Sequence, residues 1–179
     1  AVNNNGIGVC GVAGGNGSVD SGSRLMSCQI LMGAETFGQT AAGIVYGADN
    51  GAVISQNSWG VKAGGSMTEA EKEAIDYFID HAGTDPDTGE QLPDSPMKGG
   101  IVIFAAGNDD NSGRNQPADY ERVIAVSAMG PDFLKSSSNY GTWVDITAPG
   151  GNTKYNQQSG VLSTDINNGY RFLEGTSMA

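Results

Sequence analysis

Three short stretches of this 179-residue chain hold residue types that could carry out acyl transfer. Gly175-Thr176-Ser177-Met178-Ala179 sets a serine among small neighbours, directly after the strand-like run Tyr170-Arg171-Phe172-Leu173-Glu174. A hydroxyl that attacks a substrate must stand clear of its own backbone, and small flanking residues let the substrate approach closely. A serine at a helix start would also gain from unpaired N–H groups and the positive end of the dipole, which favour a developing anion. Gly107-Asn108 follows the apolar run Ile101-Val102-Ile103-Phe104-Ala105. There the glycine permits a sharp turn and the carboxamide offers two N–H bonds to an oxyanion. Ser58-Trp59-Gly60 ends a third run and could present an extended edge to a peptide by strand addition. Each stretch alone is also ordinary loop chemistry: Asn108 as a turn residue, Trp59 as an aromatic packed on the surface.

Chemistry of this kind needs a scaffold that brings distant residues together, and the length suits one domain with a real core. With 28 glycines and only 16% charged residues, tight turns are favoured over long solvated helices. The net charge of −11 argues against nucleic acid, whose phosphates need Lys and Arg. No apolar run is long enough for a transmembrane helix. Apolar residues in 24–32 (Leu25, Met26, Cys28, Ile30, Leu31) predict a buried strand. Ala41, Ile44, Val45 and Ala48 predict a helix over 40–50 that closes at Gly51, and 52–58 reads as the next strand. Ser66 and Glu69 predict a capping box opening a helix with Met67, Ala70, Ala74, Ile75, Phe78 and Ala82 on one face and Gly83 at its end. The unbroken apolar run at 101–105 predicts a strand covered on both faces. Strands are also expected over 123–128 and 143–147. Runs 161–164 and 170–174 flank Asn167-Asn168-Gly169 as a hairpin. Alternation of strand and helix at the front implies a parallel sheet with right-handed crossovers, in which chemistry collects at the carboxyl ends of the strands.

Other candidates carry less. His81 is the one histidine. It falls in the last turn of the second helix, where an interaction with the helix dipole accounts for it better than a role as base. The acidic residues of the loop over 84–100 (Asp85, Asp87, Glu90, Asp94) read as solvated rather than as a metal cluster. The opening stretch 1–17, rich in Asn and Gly, reads as Asn-Gly turns, with an oxygen-rich calcium loop as the other reading. Cys10 and Cys28 make no disulfide framework; they are expected as buried small hydrophobes, with a bridge between them left open.

Together the motifs resemble those of the subtilisin-like serine proteases. Gly175-Thr176-Ser177-Met178-Ala179 matches the nucleophile motif, and Ala105-Ala106-Gly107-Asn108 matches the strand and turn that carry the oxyanion asparagine. Asn57-Ser58-Trp59-Gly60 matches the substrate-binding strand, with Trp59 where the family usually has a smaller aliphatic residue. Gln116-Pro117-Ala118 ahead of Val123-Ile124-Ala125-Val126, and Ala148-Pro149-Gly150, add support. The resemblance covers nearly the whole chain. It implies an α/β fold, three-layer α/β/α with a mostly parallel sheet, incomplete at both ends. Residues 1–179 would then be a partial peptidase domain lacking the segment with the catalytic Asp and His and the helix after the serine.

By the same resemblance the parent is a secreted or extracytoplasmic endopeptidase acting on peptides or proteins. Ser177 would be acylated and Asn108 would hold the oxyanion. Ser58, Trp59, Gly60, Ala105, Ala106 and Gly107 would line the cleft, with Asp109 and Asn115 near positions that tune it. No cofactor is required for the chemistry. Asn3, Asn5, Ile7 and Val9 resemble part of a calcium loop, a structural site in the parent whose other ligands would come from elsewhere. Without a base the serine is neutral, so the chain alone is expected to be inactive. Sheet residues such as Ile101 and Ile103, left uncovered, would favour self-association. The alternative is a non-catalytic binding or structural domain that keeps the fold.

Overall fold

The computed structural model of the chain describes residues 3–16, 18–31, 38–61, 64–154 and 156–179. Its elements run α1 (Gln39–Asp49), β1 (Ile54–Asn57), α2 (Glu69–His81), β2 (Ile101–Ala105), β3 (Ile124–Met129) and β4 (Ile146–Pro149). A 3-10 turn (Gln157–Ser159) and the hairpin strands β5 (Val161–Thr164) and β6 (Tyr170–Leu173) follow. Strands β1 to β4 lie side by side in chain order, all parallel. Ile54 faces Ile101, Ile103 faces Ile124, and Val126 faces Ile146. β5 and β6 form a separate antiparallel pair. Asn167 and Asn168 both take positive φ, 56° and 58°, the backbone that a two-residue hairpin turn requires.

Both helices lie on one face of the sheet. Ile44 and Ala48 of α1 and Ala74, Ile75 and Phe78 of α2 pack with Val102, Phe104 and Ala125 into a single core. α2 is capped by Thr68, whose side chain accepts from Glu71 N–H, while Glu71 Oε2 accepts from Thr68 N–H at 2.7 Å. The capping box therefore sits two residues beyond the expected Ser66 and Glu69. Both pairs have the right spacing; the choice is tertiary, because Glu71 also accepts from Thr40 Oγ1 of α1 at 2.8 Å. Met67 then precedes the helix, and Ala70 faces solvent. The far end of α2 is tied to the turn before β3. Asp76 accepts from Tyr120 Oη and Arg122, and Asp80 pairs with Arg122. Burial, then the bond to Asp76, pushes the Tyr120 phenol up to about 12.

Three expectations for this region are corrected. The β2 strand is not covered on both faces: Val102 and Phe104 are buried, but Ile101 and Ile103 are only half-buried. On that same face Ile54 and Ile146 are 58% and 56% exposed, because the described residues place both helices on the opposite side. The sheet and helices thus supply two layers of the three-layer α/β/α arrangement. Second, residues 24–31 form no strand (Met32 lies outside the described residues). They run past α1 and β1 without ladder bonds, leaving a cleft of about 300 Å³ between them, and Leu25 is largely exposed. Third, Cys10 and Cys28 are free and exposed, since both lie in segments that the core does not reach.

Strand bounds also shift. Trp143 and Val144 belong to a turn before β4, and β3 begins at Ile124. The loop over 84–100 is closed by a bridge between Thr84 and Gln91. Its Asp85 carboxyl lies below the usual range, because Thr88 N–H, Thr88 Oγ1 and Asp87 N–H donate to it. Those oxygens close a turn, and no metal-holding cluster of His, Cys, Asp or Glu occurs among the described residues.

Candidate active site

Ser58 follows β1 and Asn108 follows β2, so both stand at the carboxyl edge of the parallel sheet. Ser177 arrives by another route. It follows β6 of the antiparallel pair, and the nucleophile stretch is carried to the edge by Gly175, whose N–H donates to Gly150 O just past β4 at 2.9 Å. Gly150 has no room for a side chain: a Cβ there would lie 2.4 Å from Ala128 Cβ and 2.7 Å from Gly175 O. The Ala148-Pro149-Gly150 stretch is therefore the seat of the nucleophile motif. After Gly175 the chain turns, with Met178 N–H donating to Gly175 O, and no helix forms in the described residues beyond it.

Thr176 joins the serine to the asparagine. It is buried, and both its N–H and its Oγ1 donate to Asn108 Oδ1, at 2.9 and 3.1 Å. Its Oγ1 also accepts from Gly107 N–H at 3.2 Å. With Oδ1 held by two donors, the other end of the Asn108 carboxamide, the donor Nδ2, is left without a partner among the described residues. Ser177 is half-buried, and its hydroxyl likewise has no described partner. Its main-chain carbonyl accepts from Ser58 Oγ at 3.3 Å, which sets the β1 edge against Ser177. A serine hydroxyl, an undirected amide donor and an exposed strand end thus meet, the parts that acyl transfer to a bound peptide would use.

The expected cleft residues gather around these groups. Gly107 takes φ 102°, and a Cβ there would meet Asn139 Nδ2 at 2.5 Å and Asn115 Nδ2 at 2.6 Å. Asn115 Nδ2 reaches Ala106 O at 3.4 Å, and a Cβ on Gly60 would lie 3.3 Å from the same nitrogen. The Asn115 carboxamide therefore stands between the ends of β1 and β2. Ala106 is buried and Ala105 half-buried; Asp109 is exposed, its N–H bound to Asn139 Oδ1. Trp59 is turned partly into the core. Its ring meets Phe104 edge-on at 5.1 Å, and its Nε1–H donates to Asn57 Oδ1. His81 is not brought to the serine; it lies exposed at the end of α2 with its ring 5.0 Å from that of Tyr77.

The opening loop is self-tied. Asn3 Nδ2 donates to the carbonyls of Gly11, Gly14 and Gly15, and its Oδ1 accepts from Gly11 N–H. Asn5 Oδ1 accepts from Ile7 N–H at 3.2 Å. Both carboxamide oxygens are thus engaged, and no carboxylate lies among Asn3, Asn5, Ile7 and Val9. By themselves these four residues do not fit a calcium ion. Two residues important to the site escaped the sequence reading, Thr176 in its bridging role and Asn139. The first sat inside a recognised motif, while nothing near the second in sequence signals its burial.

This arrangement is that of an α/β protein in which Ser58, Asn108 and Ser177 gather at the carboxyl edge of a parallel sheet. The chain belongs to the Subtilase family, matched along residues 1–179. It is 34% identical over 188 residues to the Thermophilic serine proteinase of Bacillus sp. (strain AK1), a match covering 99% of this chain and 40% of that protein. It is 33% identical to Thermitase of Thermoactinomyces vulgaris over 182 residues, covering 100% of this chain and 53% of that one. The chain therefore spans about half or less of these relatives. Among solved structures, a lanthipeptide protease superposes with a TM-score of 0.65 at 20% identity, covering 85% of this chain and 50% of that chain, a likeness of fold. A protease from Pseudoalteromonas arctica PAMC 21717 gives 0.61 at 27% identity, covering 79% and 42%.

Proposed function

We propose that the protein of which this chain is part hydrolyses peptide bonds through an acyl-enzyme on Ser177. The observation that carries the reading is the Thr176 bridge, which holds Asn108 by its acceptor end beside Ser177 and leaves the donor end free. In this mechanism Ser177 Oγ attacks the peptide carbonyl carbon, and Asn108 Nδ2 stabilises the oxyanion that forms. Ser58, Trp59 and Gly60 form one side of the cleft through the β1 edge. Ala105, Ala106 and Gly107 form the other, Asn115 stands between them, and Asp109 is at the rim. The proton from Ser177 goes to a base outside these 179 residues, since the single histidine, His81, lies beside Tyr77 on an exposed helix end, their rings tilted by 39°. The isolated chain is accordingly inactive toward peptides.

Secretion is consistent with relatives such as the Extracellular protease of Xanthomonas campestris pv. campestris, and among the described residues no helix is long and apolar enough to cross a membrane. One relative is named Calcium-dependent protease, from Trichormus variabilis. A structural calcium in this protein would need oxygen ligands beyond Asn3, Asn5, Ile7 and Val9. The uncovered sheet face around Ile54, Ile101 and Ile103 is where the isolated chain would self-associate.

Labelling with a serine-directed fluorophosphonate tests the central reading. The full-length protein is expected to label and to cleave a peptide substrate. Both properties should vanish in Ser177→Ala, and the 179-residue chain should show no turnover. Peptide turnover unaffected by Ser177→Ala would sink the assignment.

A further inference from the structure

We propose that Asn139 is a positioning residue for this hydrolysis, one that fixes the turn aiming Asn108; the inference rests on the function proposed above. Asn139 is 2% exposed, in a stretch that follows β3, and it grips the turn after β2 at groups other than those Thr176 holds. Its N–H donates to Gly107 O at 2.8 Å, its Nδ2 to Ala106 O at 3.1 Å, and its Oδ1 accepts from Asp109 N–H at 2.9 Å. One side chain and its own N–H thereby hold the peptide groups on both sides of Asn108. The grip is itself anchored. Ser138, fully buried, accepts from Ala128 N–H of β3 and donates to Asn139 O, both at 2.9 Å. Asp110 N–H continues the contact by donating to Ser137 O.

The turn needs such a grip because Gly107, at φ 102°, has wide backbone freedom, and a small rotation there would swing the Asn108 carboxamide. Thr176 fixes the Asn108 Oδ1 end, but it touches the turn's backbone only at Gly107 N–H. Asn139 supplies the three shortest of the other side-chain and loop contacts to this backbone, beside longer ones at 3.4 Å from Asn115 to Ala106 O and from Asn111 to Asp109 O, and its carboxamide shares with that of Asn115 the space a Cβ on Gly107 would occupy. An oxyanion donor contributes fully only when it is pre-aimed and needs no reorganisation during the reaction. Asn139 therefore acts on kcat through Asn108, without touching substrate.

The test is a double-mutant cycle in the full-length protein, with kcat and KM measured on a peptide substrate and folding followed by thermal melting. Asn139→Ala removes the side-chain grip. Asn139→Asp keeps the shape and the acceptor for Asp109 N–H but loses the donor to Ala106 O, and it carries the test if Asn139→Ala is not recovered folded. Each is expected to lower kcat about tenfold with KM within about twofold, less than the loss of the donor itself. In an Asn108→Ala background the same change should cost less than about twofold, because the aimed group is gone. Wild-type kcat in folded variants, an equal loss in the Asn108→Ala background, or failure of both variants to fold would each overturn the proposal, the last marking Asn139 as a residue of general stability. A wild-type protein that neither labels nor cleaves removes the underlying function, and this proposal with it, before any variant is made.

Discussion

Two regions of this chain are built from glycine, asparagine and serine, and they are held in opposite ways. Around Asn108 and Ser177 the bonds join residues far apart in sequence. Thr176 reaches back 68 positions to Asn108, Asn139 reaches back 30 to Asp109, and Ser58 reaches forward 119 to Ser177. In residues 3–24 the side chains bond within their own loop. Asn3 reaches Gly15, 12 positions on, Asn16 reaches Ser18, and Arg24 pairs with Asp20. The first region takes its shape only once the sheet has placed its partners. The second makes its own shape and contributes little to the core, as exposed Val12, Val19 and Leu25 indicate. Similar composition thus yields turns held by distant partners in one place and a loop hydrogen-bonded mainly to itself in the other. The physical distinction is whether opening the loop requires breaking the fold or only local bonds.

Thr176→Val gives the sharpest test of that contrast. Valine keeps nearly the shape of threonine but removes the hydroxyl that donates to Asn108 Oδ1 and accepts from Gly107 N–H. Thr176 N–H still holds Asn108, so the donor is loosened rather than lost. The expected result in the full-length protein is a fall in kcat of about tenfold, smaller than the 10²–10³ scale known from subtilisin, a member of this family, for deleting the oxyanion asparagine itself. Leaving a buried N–H unpaired should also cost about 1–3 kcal/mol of stability, read from denaturant unfolding. Unchanged kcat would show that the site is not organised through this side chain.

The sequence made the candidate residues legible as candidates because each lies next to a signal with a local cause. Asn108 and Ser58 come at or just after runs whose apolar content makes them strands, and Ser177 lies in a short Gly-Thr-Ser stretch after another strand-like run. The parallel order was readable from alternating periods, and β1, β2, α1 and α2 occur where expected. The geometry that joins the sites was not legible. Thr176 looks like any threonine, and its value lies in an acceptor 68 residues away. Asn139 follows three serines with no pattern that announces burial, yet it is 2% exposed and bonded to the turn after β2. The false strand over 24–32 fails for the converse reason. Its apolar residues promised burial, but a strand is made by ladder bonds, and among the described residues none joins 24–31 to the open edge of β1. The shifted capping box shows the same dependence, since the spacing fitted two pairs and a contact from Thr40 selected one.

Smaller effects are expected in the self-tied loop. Asn3→Ala removes three donated bonds to Gly11, Gly14 and Gly15 and the acceptor for Gly11 N–H, all within an exposed segment. Water can replace these partners when the loop opens, so the net cost is about 1 kcal/mol, and it falls on the loop. Hydrogen exchange should show faster exchange at the Gly11 amide, while amides of β2 and β3 keep their protection. Loss of protection at Val102 or Phe104 in this variant would mean that the loop is coupled to the core.

Leu25→Ser should do least of all. In a buried strand this change would remove apolar burial and insert a hydroxyl without a partner, for a cost of several kcal/mol. Leu25 is 82% exposed, so little apolar area leaves contact with the protein and the serine hydroxyl remains hydrated. The expected change is within about 0.5 kcal/mol in denaturant unfolding, the range of substitutions away from packed features. Turnover by the full-length protein should be unaltered, since Leu25 contacts none of the groups around Ser177. A loss of several kcal/mol would place Leu25 in a packed layer and restore the strand over 24–32 that the apolar pattern suggested. The same measurement would then erase the difference between the two regions, because the loop leading into that strand would be held by the sheet as the turns around Asn108 and Ser177 are.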